Sequence, residues 1–330
     1  MIRCLEANTL YAAHDATFAA HLEFSCNMDT YFPPLDDKMW IIQADGGGPG
    51  ELDFLRSQAG IHDADELKKH VIGIQTKAYE IYGYPCIRTF SFARLRISRL
   101  PAYPRIMPLL REQPDAILLD LGCCFGADLR KVAADGFPTQ NLIGCDLRKE
   151  FWHYGHELFR STPDTFPVAF LAGDVFDHGF LAHGIGPQLP ASPPPHPLSK
   201  ITSLTALNGH VSVIHVSYLF HLFSEQKQAE LARLLAGLLA PLPGSMILGA
   251  HIGKEAKGFK ERPFRSGEQG AEVFCHSPAS WTEMWESVFP AEGVRVDVVL
   301  KKHGECHPSE LVIASAENDE GVLEWSCTRL

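Results

Sequence analysis

Apolar residues in this 330-residue chain fall into two alternating patterns, short unbroken runs and longer stretches of helical period, with glycine and proline between them. Ile117-Leu118-Leu119, preceded by Pro114 and closed by Asp120, reads as a short buried strand. A glycine turn, Gly122-Cys123-Cys124-Phe125-Gly126, leads into a helix from Ala127 to Ala134, with Asp128 in its first turn and Gly136 as its C-cap. A second run, Leu142 to Cys145, ends in Asp146. The helix after it, 150–160, places Phe151, Tyr154, Gly155, Leu158 and Phe159 on one face. A third strand, Val168 to Leu171, runs on to Asp174, and a fourth spans Val211 to Val216. Ser224 then caps a helix that turns Leu231, Leu234, Leu235, Leu238 and Leu239 inward and stops at Pro241. The fifth strand, Ser245 to Ala250, closes on His251. Ser277 and Pro278 open a further helix as N-cap and first residue, with Trp281, Met284, Trp285 and Val288 on one side. Val294–Leu300, Leu311–Ala314 and Val322–Ser326 are β-like. Repeated strand–helix units followed by terminal strands predict an α/β fold, with a mainly parallel sheet and antiparallel C-terminal strands.

Upstream of this alternation the pattern changes. Residues 1–44 are apolar without clear period, and Asp45 to Gly50 is a turn. Asp63 caps a helix with Glu66 at the capping-box position; Leu67, Val71, Ile74, Ala78 and Ile81 form its apolar stripe, and Gly83 with Pro85 ends it. The next segment mixes aromatics with Arg88, Arg94, Arg96, Arg99 and Arg105. These arginines read either as a solvated basic face or as the lining of an anionic pocket, with Arg88 and Arg94 the candidates for substrate contact. The expected division is a mostly helical cap over 1–110 and an α/β domain over 111–330. A proline-rich surface insertion lies at 184–198, and a glycine-bearing loop after His251 is long enough to act as a lid.

Charge and cysteine content narrow the partners. A net charge of −11 argues against nucleic acid, which requires a basic footprint. Nine scattered cysteines without a Cys-x-x-Cys pair suggest neither a zinc site nor a disulfide framework, and fit a reducing, cytoplasmic setting. No run reaches membrane-spanning length. A small molecule is the expected partner, and a homodimer is left open.

The strand–turn–helix–strand–acid unit from Ala116 to Asp146 is that of a nucleotide site. A dinucleotide fingerprint would place glycine where Cys124 stands, and no Gly-Lys-Ser/Thr phosphate loop follows. Six polar or turn residues, Asp120, Gly122, Asp146, Asp174, His215 and His251, all fall at expected carboxyl ends of strands, where open parallel sheets bind ligands. Asp146 is placed to accept two ribose hydroxyls. Asp174 is placed to accept an exocyclic amine, with Leu147, Val175 and Phe176 as apolar neighbours of the base.

The strings LLDLGCCFGADLRKVAADG, GCDLRKEFWHYGHELFR, VSYLFHLFSEQKQ and VFCHSPASWTEMW together resemble a group of fungal class I S-adenosylmethionine-dependent methyltransferases of natural-product, notably meroterpenoid, pathways. The likeness covers roughly Tyr84 to Trp285 and implies a Rossmann-like class I methyltransferase fold, with S-adenosylmethionine as cofactor. It also implies that Asp120, Gly122, Cys123 and Gly126 surround the methionine part, with Asp146 on the ribose and Asp174 on the adenine. Many members form methyl esters, so the expected reaction is O-methylation of a carboxylate. A carboxylic acid of pKa about 4 is already ionised at neutral pH and needs positioning, whereas a phenol of pKa about 10 benefits from a histidine base. His215, Tyr218 and His221 follow the fourth strand as candidates for catalysis, His215 also for cofactor contact; His251 and His276 join Arg88 and Arg94 as substrate candidates. The chemistry requires no metal. A phenol or enol O-methyltransferase, a cyclase that retains the cofactor's methyl, and a non-catalytic regulatory relative are the alternatives.

Overall fold

The computed structural model describes residues 34–36, 40, 50–113, 115–183, 190, 192–261, 272–302, 305 and 319–330. The turn at 45–49, residues 184–189 of the proline-rich stretch and the β-like run Leu311–Ala314 lie outside them.

The N-terminal elements are α1 (Glu51–Ala59), α2 (Ala64–Ile81), the single turn α3 (Pro85–Arg88) and α4 (Tyr103–Glu112). Asp63 caps α2 by accepting the Glu66 N–H at 2.8 Å. The Glu66 carboxylate leaves the capping box and pairs instead with Arg160 at 3.0 Å. Leu67, Val71, Ile74 and Ala78 are buried as the stripe predicts, while Ile81 at the helix end is 37% exposed.

The α/β part runs β1 (Ile117–Leu121), α5 (Ala127–Ala134), β2 (Leu142–Asp146), α6 (Lys149–Leu158), β3 (Ala169–Ala172), β4 (Val211–His215), α7 (Glu225–Leu238), β5 (Met246–Lys254), the hairpin strands β6 (Gly258–Glu261) and β7 (Glu272–Cys275), α8 (Pro278–Val288), β8 (Val294–Lys302) and β9 (Glu320–Arg329). The seven-stranded sheet has the order β3-β2-β1-β4-β5-β9-β8. Strands β1 to β5 pair in parallel. β9 inserts antiparallel between β5 and β8, so β8 points the same way as the parallel set. This order is the class I methyltransferase arrangement of a Rossmann-like sheet.

Two sequence expectations change here. β5 does not stop at Ala250: it pairs with β9 from Met246↔Thr328 to Lys254↔Glu320, so His251 lies within the ladder opposite Leu323. The segment after it is not wholly loop, because Gly258–Glu261 and Glu272–Cys275 pair as an antiparallel hairpin.

Both sheet faces are covered. One core holds Val211, Ile214, Leu231, Leu235, Trp281, Trp285 and Trp325 beneath α7 and α8. The other holds Ile106, Leu110, Leu118, Leu129, Val132 and Leu248 beneath α4 and α5. Helix α4 therefore belongs to the sheet's packing, although it spans the 110/111 division. A third cluster joins Trp40, Leu55, Leu67, Val71, Ile87 and Phe90 to Phe125, Phe151 and Leu158. It seats the N-terminal helices on the turn after β1 and on α6. Buried apolar area of this kind, at roughly 25 cal/mol per Å2, is the main attraction holding those helices in place.

Candidate active site

At the carboxyl end of β1 the chain turns through Gly122, which is exposed and has φ of 75°. Gly126 closes the turn at φ 70°, and a Cβ there would stand 2.6 Å from the Trp152 ring. Cys124, at the usual middle-glycine slot, also has positive φ, at 49°. Its N–H donates to Asp146 Oδ2 at 2.9 Å. Asp146 Oδ1 accepts the Arg148 N–H at 3.0 Å, so two backbone amides aim the carboxylate across the turn. Burial raises the Asp146 carboxyl to about 6, against the pull of the Arg148 and Cys124 amides and with a push from Asp120. Asp174, two residues beyond β3, accepts the Phe176 N–H at 2.9 Å. Leu147 is half-buried beside Asp146, whereas Val175 and Phe176 are buried below the rim. Phe176 meets the edge of Phe223 at 5.0 Å between ring centres.

The second network crosses the middle of the sheet. Asp120 and His215 face each other in register on β1 and β4. His215 Nδ1 lies 2.8 Å from Asp120 Oδ1 and its Nε2 lies 2.8 Å from Ser217 Oγ. Burial lowers the His215 basicity, but the Asp120 and Asp128 carboxylates outweigh it and the net shift is upward. With both ring nitrogens engaged and the residue buried, His215 does not stand free on the rim as the expected general base. Asp120, Asp128 and His215 lie close enough together to suggest a metal site. The groups are satisfied without one: Asp128 Oδ1 takes the Arg96 and Ile97 amides at 2.7 and 2.9 Å.

Beyond β4, Tyr218 has φ of 55° and donates its N–H to Ala250 O at 2.6 Å. The Arg96 guanidinium stands 3.9 Å from the centre of the Tyr218 ring. His221 is buried with its ring 6.0 Å from that of Tyr218. His251 and His276 occupy other surroundings. His251 packs 4.3 Å from Trp281, and its Nδ1 accepts the Trp325 indole N–H at 3.0 Å, inside the aromatic core. Burial, with His221 and His276 adding to it, holds this imidazole neutral. His276 Nδ1 pairs with Ser280 Oγ at 2.9 Å, at the start of α8, and burial pushes it down to about 4.

The arginine-rich segment divides in the same way. Arg94 is buried at 3% exposure in an ion pair with Glu51 at 3.3 Å, and Arg99 joins the same carboxylate at 2.6 Å. Arg88 donates to Pro34 O at 3.1 Å at the surface. Arg105 reaches Ser326 at 2.8 Å on β9. Arg96 is the arginine brought to the end of β4. The shortlist drawn from sequence omits it, together with Ser217 and the pair Tyr82 and Tyr84. Tyr82 lies under the Arg148 guanidinium at 4.6 Å, and burial pushes the Tyr84 phenol well up. Proximity of a tyrosine pair to the helix-ending Gly83-Pro85 is the signal that marks the last two.

Residues 42–93 match the family model of the meroterpenoid methyltransferase N-terminal domain. The Asnovolin E/Chermesin D methyltransferase nvfJ of Aspergillus novofumigatus is 31% identical over 234 residues, covering 71% of this chain and 74% of its own. The chain belongs to the fungal S-adenosylmethionine-dependent O-methyltransferases of secondary metabolism. Another member of this methyltransferase family, the O-methyltransferase atr3 of Stereocaulon alpinum, is 33% identical over 232 residues, or 70% of this chain; the match spans 60% of atr3. A solved S-adenosylmethionine-dependent methyltransferase from Mesorhizobium loti superposes over 71% of this chain and 100% of its own, with a TM-score of 0.40 and 14% identity. The methyltransferase fold is defined here by the sheet order, not by that distant likeness. The residues fit the family's cofactor, since an open glycine turn and an amide-held acid stand side by side. Among the described residues no helix is long and apolar enough to cross a membrane.

Proposed function

We propose that this methyltransferase acts on a carboxylate oxygen of a small terpenoid- or polyketide-derived acid, forming a methyl ester. The observation that carries the reading is Arg96 on Tyr218 at the end of β4, 3.9 Å from the ring centre. A guanidinium matches a carboxylate in charge and geometry, and a carboxylate needs alignment rather than deprotonation. When bound, the cofactor supplies an electrophilic methyl group on a sulfonium. In this reading Asp146 accepts the ribose hydroxyls and Asp174 the adenine amine, with Leu147, Val175 and Phe176 beside the base. Asp120, Gly122, Cys123 and Gly126 surround the amino-acid end. Tyr218, His221 and Arg96 border the acceptor, and the N-terminal cap closes over it to exclude water. The relative nvfJ, an asnovolin E/chermesin D methyltransferase, supports a small-molecule acceptor of this class.

A phenol reading has one observation in its favour, the buried His221 beside Tyr218. His215 does not serve it, because Asp120 and Ser217 hold both of its nitrogens. The test is a panel of terpenoid and aromatic acids and phenols with methyl-labelled cofactor. A base-labile methyl product is expected, lost on blocking the acid, and Arg96→Met should raise the acceptor KM about tenfold or more. A base-stable methyl ether, unaffected by Arg96→Met, would overturn the ester reading.

A further inference from the structure

Three strands, β1, β4 and β5, are tied together by side chains at the level where β1 and β4 end. Ser217 Oγ accepts the Ala250 N–H of β5 at 3.1 Å and meets His215 Nε2 at 2.8 Å. His215 Nδ1, at the end of β4, meets Asp120 Oδ1 on β1 at 2.8 Å. In the neutral ring with Nε2 accepting from the serine hydroxyl, and in the protonated ring alike, Nδ1–H donates to Asp120. Asp120 and His215 are both buried, at 4% and 2% exposure, so water does not replace a lost bond cheaply.

We infer that Ser217 and His215 are positioning residues that hold the Asp120 carboxylate toward the amino-acid end of the cofactor. The inference rests on the reading of Asp120 given above. His215 engages one carboxylate oxygen and fixes the side chain's rotation, while Ser217 fixes the imidazole by anchoring it to the β5 backbone. The same turn carries Tyr218, whose N–H donates to Ala250 O at 2.6 Å. One backbone corner therefore orients both the cofactor's amino-acid end and the residue beneath Arg96.

Two probes separate positioning from simple structural support. S-adenosylhomocysteine carries the amino-acid end, and 5′-methylthioadenosine lacks it while keeping the adenosine. Calorimetric titration of Ser217→Ala should show S-adenosylhomocysteine bound about five- to tenfold more weakly and methylthioadenosine unchanged, with Ser217→Thr restoring the loss. His215→Asn, which keeps a donor for Asp120 but breaks the serine link, should show the same selective loss and serves if the alanine variant folds poorly. Equal weakening of both probes, or no weakening of either, overturns the inference. Asp120→Asn tests the underlying reading independently. If it does not discriminate between the probes, the Asp120 assignment fails; if it discriminates and Ser217→Ala does not, only the positioning role fails.

Discussion

Beyond the ends of β2 and β3 the acids are held by backbone amides, whereas at the ends of β1 and β4 the polar groups are held by side chains, one of them far off in sequence. Asp146 takes the amides of Cys124 and Arg148, and Asp174 takes that of Phe176. His215 instead depends on Asp120, 95 residues earlier, and Tyr218 lies beneath Arg96 of the cap. Backbone-held acids keep their aim as long as the turn keeps its path. Side-chain-held groups change with single substitutions, so the β4 side is the more easily disrupted of the two.

That contrast can be broken most severely in the cap. Arg94→Met removes a partner from a nearly solvent-free ion pair and should destabilise the fold by about 3 kcal/mol, at the low end because Arg99 still faces Glu51. Chemical unfolding checks it, and a loss below about 1 kcal/mol would mean Arg94 is not structural. Next in size is Asp146→Ala, which should weaken S-adenosylhomocysteine about 30-fold or more while leaving the sheet intact. Unchanged affinity by calorimetry would remove Asp146 from the cofactor side.

A pH series sharpens the same point. Burial raises the Asp146 carboxyl to about 6, so its ionised form is disfavoured in the fold and is lost as pH drops through that value. The charged form is the one that accepts both hydroxyls. S-adenosylhomocysteine affinity should therefore fall below pH 6, approaching tenfold per unit, and Asp146→Asn should be weak but flat across the same window. The sign for stability is the reverse: a raised acid favours the fold at low pH, and that contribution fades as pH rises from 3.8 through about 6. The smallest effect belongs to Arg88→Ala. Its surface contact with Pro34 should be worth less than about 0.5 kcal/mol, with acceptor KM unchanged; a clear KM rise would return Arg88 to the substrate side.

The contrast also explains what could be read from the sequence. The strand–turn–helix–strand unit, the caps at Asp63, Ser224 and Ser277, and the acids closing β1 and β2 are local features, and local spacing encodes them. His251 was legible as a strand end only if β5 stopped with its parallel neighbours. The long antiparallel partner β9 carries it four residues further and buries the imidazole between tryptophans. Arg94 and Arg96 are two residues apart and look alike on paper. Glu51, 43 positions upstream, pairs with the buried Arg94, whereas the Arg96 guanidinium stacks on Tyr218. No spacing rule anticipates such a choice, because it depends on which helix the cap brings alongside.

The place of β9 in the sheet has a consequence for biosynthesis. This strand leaves the ribosome after every other strand described here, yet it lies inside the sheet, between β5 and β8. Until it emerges, β5 has an open edge nine residues long and β8 has nothing to pair with. The nascent chain thus passes through a stage with five parallel strands formed and an adhesive flank exposed. Chaperone demand and loss to aggregation should concentrate in that interval, before the seam is closed.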